Sequence, residues 1–301
     1  MPDRVCHSLR RSLLLACLIL VELLVCGLAI GVVVLLIAVA AAPSQGLTVS
    51  GTAAVWYLLV PAVLFVVVGT ALLLYAALYG EHVVLSSIDA RRLDPLRRHV
   101  LGDVCEELAI AAGVRAPDVR VVDDPSPNCL VAGSRRRLTI VATTGLLELL
   151  PRTELQAVVA HQLAHVVNGD LGFETFLAAV ASVMARMTGT ARPGQVPLAV
   201  GVLWFPAAAF QKIIDGVGRA AWADRDDAAD DTAVRLCGDP AALIDALRAI
   251  DDGPPGDLAR WPALTRLFMV DPIELTAPGH PVRPSLDERI ARLEPLVVPA
   301  D

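Results

Sequence analysis

Two long stretches of the chain are continuously apolar, and the residues beyond them mix apolar and polar positions at helical or strand spacing. The first runs from Leu23 to Ala42 without a charge and extends upstream to Ser12 with only Glu22 interrupting. At a rise of roughly 1.5 Å per residue this crosses the hydrocarbon core of a bilayer. The second, Ala53 to Gly80, carries Trp56 and Tyr57 at one end and Tyr75 and Tyr79 toward the other, where aromatic rings favour the two interfaces. Both are predicted to be transmembrane helices. A signal peptide cleaved after Ala40-Ala41-Ala42 is the rival reading of the first, but its apolar region is about twice the usual length. Gly27 and Gly31 are spaced as a GxxxG, which lets two helices come close. The division that follows is a membrane anchor over 1–84 and a second domain over 85–301.

After Arg98 the periodicity is that of an amphipathic helix, with Leu101, Val104, Leu108 and Ile110 among its apolar positions. Alternation at Val119-Arg120-Val121 predicts a strand. Pro125 to Asn128 is turn chemistry, and Arg135-Arg136-Arg137 leads into the β-branched run Leu138 to Thr143, a second strand. A long helix is predicted from Thr153, where Thr153 to Gln156 fits a capping box, to a stop at Asn168-Gly169. Two shorter apolar stretches, Leu171 to Met187 and Val196 to Ile214, are interrupted by Glu174, Arg186 and Lys212. They read as spans, a membrane-dipping hairpin or buried helices, so 171–214 is a candidate membrane-associated segment. Later helices are predicted over Pro240 to Ile250 and from a second capping box at Ser285 to Glu288. The fold class is mainly α with a small β-sheet.

Composition agrees with partition into lipid: 55% of residues are hydrophobic and only 19% charged, too apolar for a disordered chain or an ordinary soluble enzyme. A formal net charge of -7 sets nucleic acid aside, leaving lipid and polypeptide as the expected partners. Six cysteines without a CxxC pair imply no disulfide framework. Arg4, Arg10 and Arg11 precede the first span, the loop between the spans is uncharged, and Arg91, Arg92, Arg97 and Arg98 follow the second. By the positive-inside bias both termini and the second domain are cytoplasmic.

The chemistry sits on the long helix. His161 and His165 are four apart, so both imidazoles project from one face at a separation suited to one tetrahedral ion. Spacing alone does not separate a metal pair from two packed histidines. A zinc site also needs a third ligand, and the acidic run Asp224 to Asp231 supplies carboxylates downstream. Asn128 to Gly133, Leu138 to Leu147 and Ala160 to Asp170 together resemble the HtpX-type membrane zinc metallopeptidases of peptidase family M48. The resemblance continues through Arg225 to Pro240, similar to the family's R-E-x-x-A-D segment, and through His280-Pro281 with Leu286 to Ile290.

This resemblance implies a gluzincin-like metallopeptidase domain behind N-terminal spans, one zinc ion, an active-site HExxH helix and a second helix donating a carboxylate, in the plasma membrane of a bacterium. His161 and His165 would be ligands, with Asp226 as the third, one methylene shorter than the family's glutamate; Asp227 is the rival. Asp230 would orient a ligating imidazole, Arg289 would pair with a carboxylate, and His280 would donate to a developing oxyanion. The strand Leu138, Thr139, Ile140, Val141, Ala142 and Thr143 would form the cleft edge that holds substrate backbone. The family's general-base glutamate is replaced by Gln162. An amide cannot take a proton from the attacking water, and general-base catalysis is worth about 10²- to 10⁴-fold. The expectation is therefore zinc and peptide binding with attenuated or lost hydrolysis. The alternatives are an active endopeptidase of membrane-protein quality control, in which Asp226 or Asp227 serves as base, and a metal-free scaffold or adaptor.

Overall fold

The computed structural model describes residues 2–45, 48–92, 98–188, 225–272 and 284–297. Helix α1 (Pro2–Ala41) and helix α2 (Gly51–Ser87) are the two helices long and apolar enough to cross a membrane among those residues. They lie against each other through the small residues of α1. A Cβ on Gly27 would stand 2.6 Å from Ala62 Cα, and one on Gly31 2.7 Å from the Tyr57 carbonyl. Only glycine permits this approach. Ser50 caps α2 by accepting from the Ala53 N–H, and the helix bends at Tyr79, beyond which its last turns enter the second domain.

The sheet has four strands: β1 (Arg91–Arg92), β2 (Asp118–Val122), β3 (Cys129–Ser134) and β4 (Arg137–Thr143), in spatial order β1-β2-β4-β3. β4 runs parallel to β2 and antiparallel to β3. Side chains alternate between two apolar faces. Cys129, Val131, Leu138, Ile140 and Ala142 meet α3 (Arg98–Ala112) and α5 (Arg152–Asn168). Leu130, Ala132 and Val141 meet Val84, Leu85 and Ile88 of α2. The sheet is thus covered on both faces, and the end of α2 belongs to the core of the second domain.

Several expectations change. The strand Leu138 to Thr143 is not the cleft edge: β4 lies between β2 and β3, where its almost wholly buried side chains are stable. The edge is β3, within the stretch that carries the family resemblance. Its length was hidden because near-continuous burial removes the polar alternation that marks a half-exposed strand. Residues after Thr143 turn at once into a short helix α4 (Thr144–Leu149), capped by the Thr143 hydroxyl accepting from the Leu146 N–H. The Thr153 capping box is absent: α5 starts one residue earlier behind Pro151, and the Gln156 amide donates to Glu107 instead. The box at Ser285 is formed, with reciprocal bonds to Glu288, and opens α9 (Leu286–Leu293). Ile110 is exposed, because nine residues past Leu101 a helix has turned to its opposite face.

Helix α6 (Leu171–Thr188) follows α5 after a 97° bend. Gly169, in the left-handed region at φ 86°, ends α5 and makes that turn. Phe173, Leu177, Ala179 and Val180 then pack on Leu73, Ala76 and Val83 of α2 and on Ile19 of α1. The stretch from Val196 to Ile214 lies outside the described residues, as does His280. Residues 225–237 are helical (α7), followed by α8 (Pro240–Asp251).

Candidate metal centre

The middle of α5 is enclosed on all sides, so its polar side chains are forced into specific pairings. His161 and Gln162 have no exposed surface, and His165 is 6% exposed. The two imidazoles stand with centroids 5.0 Å apart and planes nearly perpendicular. Asp226, at the start of the described part of α7, joins them: one ligand atom from each of His161, His165 and Asp226 lies within 4.8 Å of the others. Tetrahedral bonds of about 2.1 Å to one ion would set such atoms ~3.4 Å apart, so the three side chains would have to draw inward by roughly an ångström. The shorter aspartate arm is offset by close helix approach. Ala229 and Ala233 on α7 are fully buried, and Asn168 at the end of α5 donates to the Ala228 carbonyl and accepts from the Thr232 hydroxyl.

Asp230 is one turn further along α7 and fully buried. One of its oxygens stands 2.7 Å from His161 Nδ1, while Arg289 donates to both oxygens at 2.8 Å and to the Met269 carbonyl at 3.0 Å. Burial pushes the Asp230 carboxyl up, but Arg289 and His161 outweigh it and hold the group well below the usual carboxylate range. Burial in turn lowers His161 to about 4 against the pull of Asp230, so the ring is neutral at physiological pH. With Nδ1 committed to Asp230, His161 Nε2 is buried and has no hydrogen-bond partner. A neutral imidazole with its second nitrogen unpartnered is the form that ligates a metal.

His165 is placed from the other side. Its Nδ1 is 3.5 Å from Asp170, whose other partner is Arg225 Nε at 2.7 Å. Arg225 also pairs with Glu174 on α6. Burial raises the Asp170 carboxyl, but His165 and Arg225 bring it down to about 2. This Asp170–Arg225–Glu174 cluster was not assigned from sequence. The available signal was Glu174 itself, a carboxylate in an apolar stretch that has to find a cation when buried. Asp227 is not part of the group of ligand atoms. It meets Arg292 Nε at 3.2 Å, and Asp231 meets Arg292 at 2.9 Å, so neither is merely a solvated acidic position.

Gln162 points toward the sheet edge. Its amide donates to the Cys129 carbonyl at 3.1 Å, and its own Oε1 is buried without a hydrogen-bond partner. The Cys129 carbonyl also accepts from the Met269 N–H at 2.8 Å, and Leu130 bridges to Phe268. Asn128, fully buried, closes the arrangement by donating to the Val270 carbonyl and accepting from the Cys129 N–H.

Comparison with known proteins agrees with the geometry. The model of peptidase family M48 matches residues 95–297. A protein named Protease HtpX homolog from Caldanaerobacter subterraneus subsp. tengcongensis is 29% identical over 238 residues, covering 73% of this chain and 79% of that protein. Proteins of the same name from Levilactobacillus brevis and Pelotomaculum thermopropionicum are 30% and 29% identical, covering 77% and 79% of this chain and 85% and 90% of theirs.

Proposed function

This chain belongs to peptidase family M48 as an HtpX-like membrane protein, and from that premise we propose that it binds one zinc ion and polypeptide but hydrolyses peptide bonds weakly or not at all. The observation that carries this reading is the contrast within a single helical turn. The ligand atoms of His161, His165 and Asp226 converge, while the neighbouring position holds Gln162.

His161, His165 and Asp226 would hold the ion, and their donor set of two imidazoles and a carboxylate suits zinc. Zinc bound there would supply Lewis-acid polarisation of a substrate carbonyl. Asp230 keeps the proton of His161 on Nδ1 and leaves Nε2 for the metal, and Arg289 keeps Asp230 ionised. Asp170, held by Arg225, stands 3.5 Å from His165 Nδ1, where its charge would favour that ring's orientation. Gln162 donates a hydrogen bond to the edge strand and has no basic atom with which to accept a proton from water. Loss of the base lowers turnover by about 10²- to 10⁴-fold while binding remains. Substrate strand addition would fall to the outer side of β3 between Cys129 and Gly133, whose carbonyl and N–H, respectively, are themselves already bonded to Met269 and Gln162 and to Thr175. The arginines flanking the spans support a reading in which both termini and the peptidase-like domain are in the cytoplasm of a bacterium.

The test is zinc per purified chain by mass spectrometry, with casein cleavage measured on the chain and on Gln162→Glu. One zinc in both proteins, with cleavage at least about 10²-fold faster in Gln162→Glu, is expected. Comparable cleavage by the unsubstituted chain would mean another carboxylate acts as base. Absence of zinc from both would favour a metal-free scaffold.

A further inference from the structure

The β3–β4 hairpin turns at Arg135-Arg136, and Arg137 opens the returning strand; all three are exposed. Among the described residues none of them makes an ion pair, although the chain as a whole carries a net charge of -7. Turn chemistry does not call for these residues: the tight hairpin turns that favour particular side chains need positive φ, and neither arginine has it. Three adjacent guanidinium groups repel one another unless an anion lies close.

Packing against α2 fixes where this tip points. Thr139 near the start of β4 donates to Glu81 at 2.6 Å, whereas Val141, further along β4, packs with Val84, Leu85 and Ile88. β4 and the end of α2 therefore run in the same direction, away from the membrane. The same level is marked on β3 and α6: the Gly133 N–H donates to the Thr175 hydroxyl at 2.9 Å, and a Cβ on Gly80 would touch Thr175 at 3.4 Å. Ser134 to Arg137 thus project back past Gly80, toward the level of Tyr79 and Tyr75. Those two tyrosines stand in contact near the end of the charge-free run that closes at Gly80. Arg137 is two strand residues, roughly 7 Å, on the membrane side of Thr139.

We propose that the Arg135-Arg136-Arg137 hairpin tip docks on the surface of the bilayer that α1 and α2 cross and binds the phosphate groups of anionic phospholipids. Charge complementarity selects this occupant. An anionic leaflet attracts each arginine near its surface, an effect worth about fivefold per residue in local lipid preference and confined to roughly a Debye length. The inference rests on α1 and α2 as spans and is independent of zinc and of hydrolysis.

The experiment uses the full chain in mixed micelles of phosphatidylcholine and phosphatidylglycerol, with the retained lipids counted by native mass spectrometry. The unsubstituted chain is expected to hold phosphatidylglycerol above its bulk share, and to lose that excess in 0.5 M salt, a concentration at which screening lengths drop to about 4 Å. The triple variant Arg135→Gln/Arg136→Gln/Arg137→Gln should fall to the bulk ratio. The single variant Arg136→Gln should lose about fivefold, which keeps the test valid if the triple variant folds poorly. Arg91→Gln/Arg92→Gln, whose strand pairs through Val121 and Arg120 with the far end of β4, should keep the excess. Retention of the excess in both hairpin variants, or an equal loss in the Arg91/Arg92 control, would overturn the proposal.

Discussion

Replacing Asp230 by asparagine changes one oxygen to an NH2 at nearly constant volume, in a site where Asp230 has no exposure and Arg289 is 3% exposed. The amide keeps one acceptor, yet Arg289 and His161 both present donors, so its NH2 must face an N–H or rotate away. The larger loss is charge compensation, because the guanidinium stays buried after the carboxylate that accepts from it at two oxygens is gone. Breaking one side of a buried ion pair costs about 3–5 kcal/mol. For a domain of this size each kcal/mol moves the melting temperature by about 2–4 °C, so a fall of roughly 10 °C is expected. Freed from Asp230, His161 can turn or change tautomer, and zinc affinity should drop about 10- to 100-fold. Thermal melts in detergent, with and without a chelator, read the first effect, and zinc competition against a chromophoric chelator reads the second. Arg289→Met combined with Asp230→Asn should cost less than the sum of the two single changes, since the unpaired charge is gone. If Asp230→Asn melts within about 2 °C of the parent and holds zinc equally well, the buried network does not organise the site as argued.

Other consequences are separable. Gly31→Leu forces side-chain atoms into the Tyr57 carbonyl and should cost about 1–3 kcal/mol, seen as a lower melting temperature in detergent, whereas Gly51→Ala, which meets nothing within 4 Å, should be neutral. Asn128→Ala removes the bonds to Val270 and Cys129 and should cost about 2–3 kcal/mol, with faster amide exchange at Met269 and Val270 by hydrogen-exchange mass spectrometry. Thr175→Val leaves the Gly133 N–H without its acceptor in a buried setting and should cost about 1–3 kcal/mol in the same melts.

The elements legible in the sequence are those whose cause is local. The two spans follow from uninterrupted apolar length, the stop of α5 from Gly169, the cap of α9 from Ser285 and Glu288, and the shared face of His161 and His165 from helical spacing. The glutamine at 162, directly after the first of those histidines, is likewise read from the chain alone. What failed locally was overridden by partners distant in sequence. The Thr153 box gave way to a start at Arg152, with Gln156 turned to Glu107 on α3.

Only tertiary structure decided which strand is the edge, because β3 and β4 are both buried on two faces and nothing in their side chains distinguishes inner from outer. It also separates Asp226 from Asp227 in space. They are neighbours of identical chemistry, and about 100° of helix rotation sends one toward His161 and His165 and the other toward Arg292. Composition and periodicity set what each segment can bury, whereas register and helix rotation are fixed by contacts summed over the whole core, and the site's specificity resides in the latter.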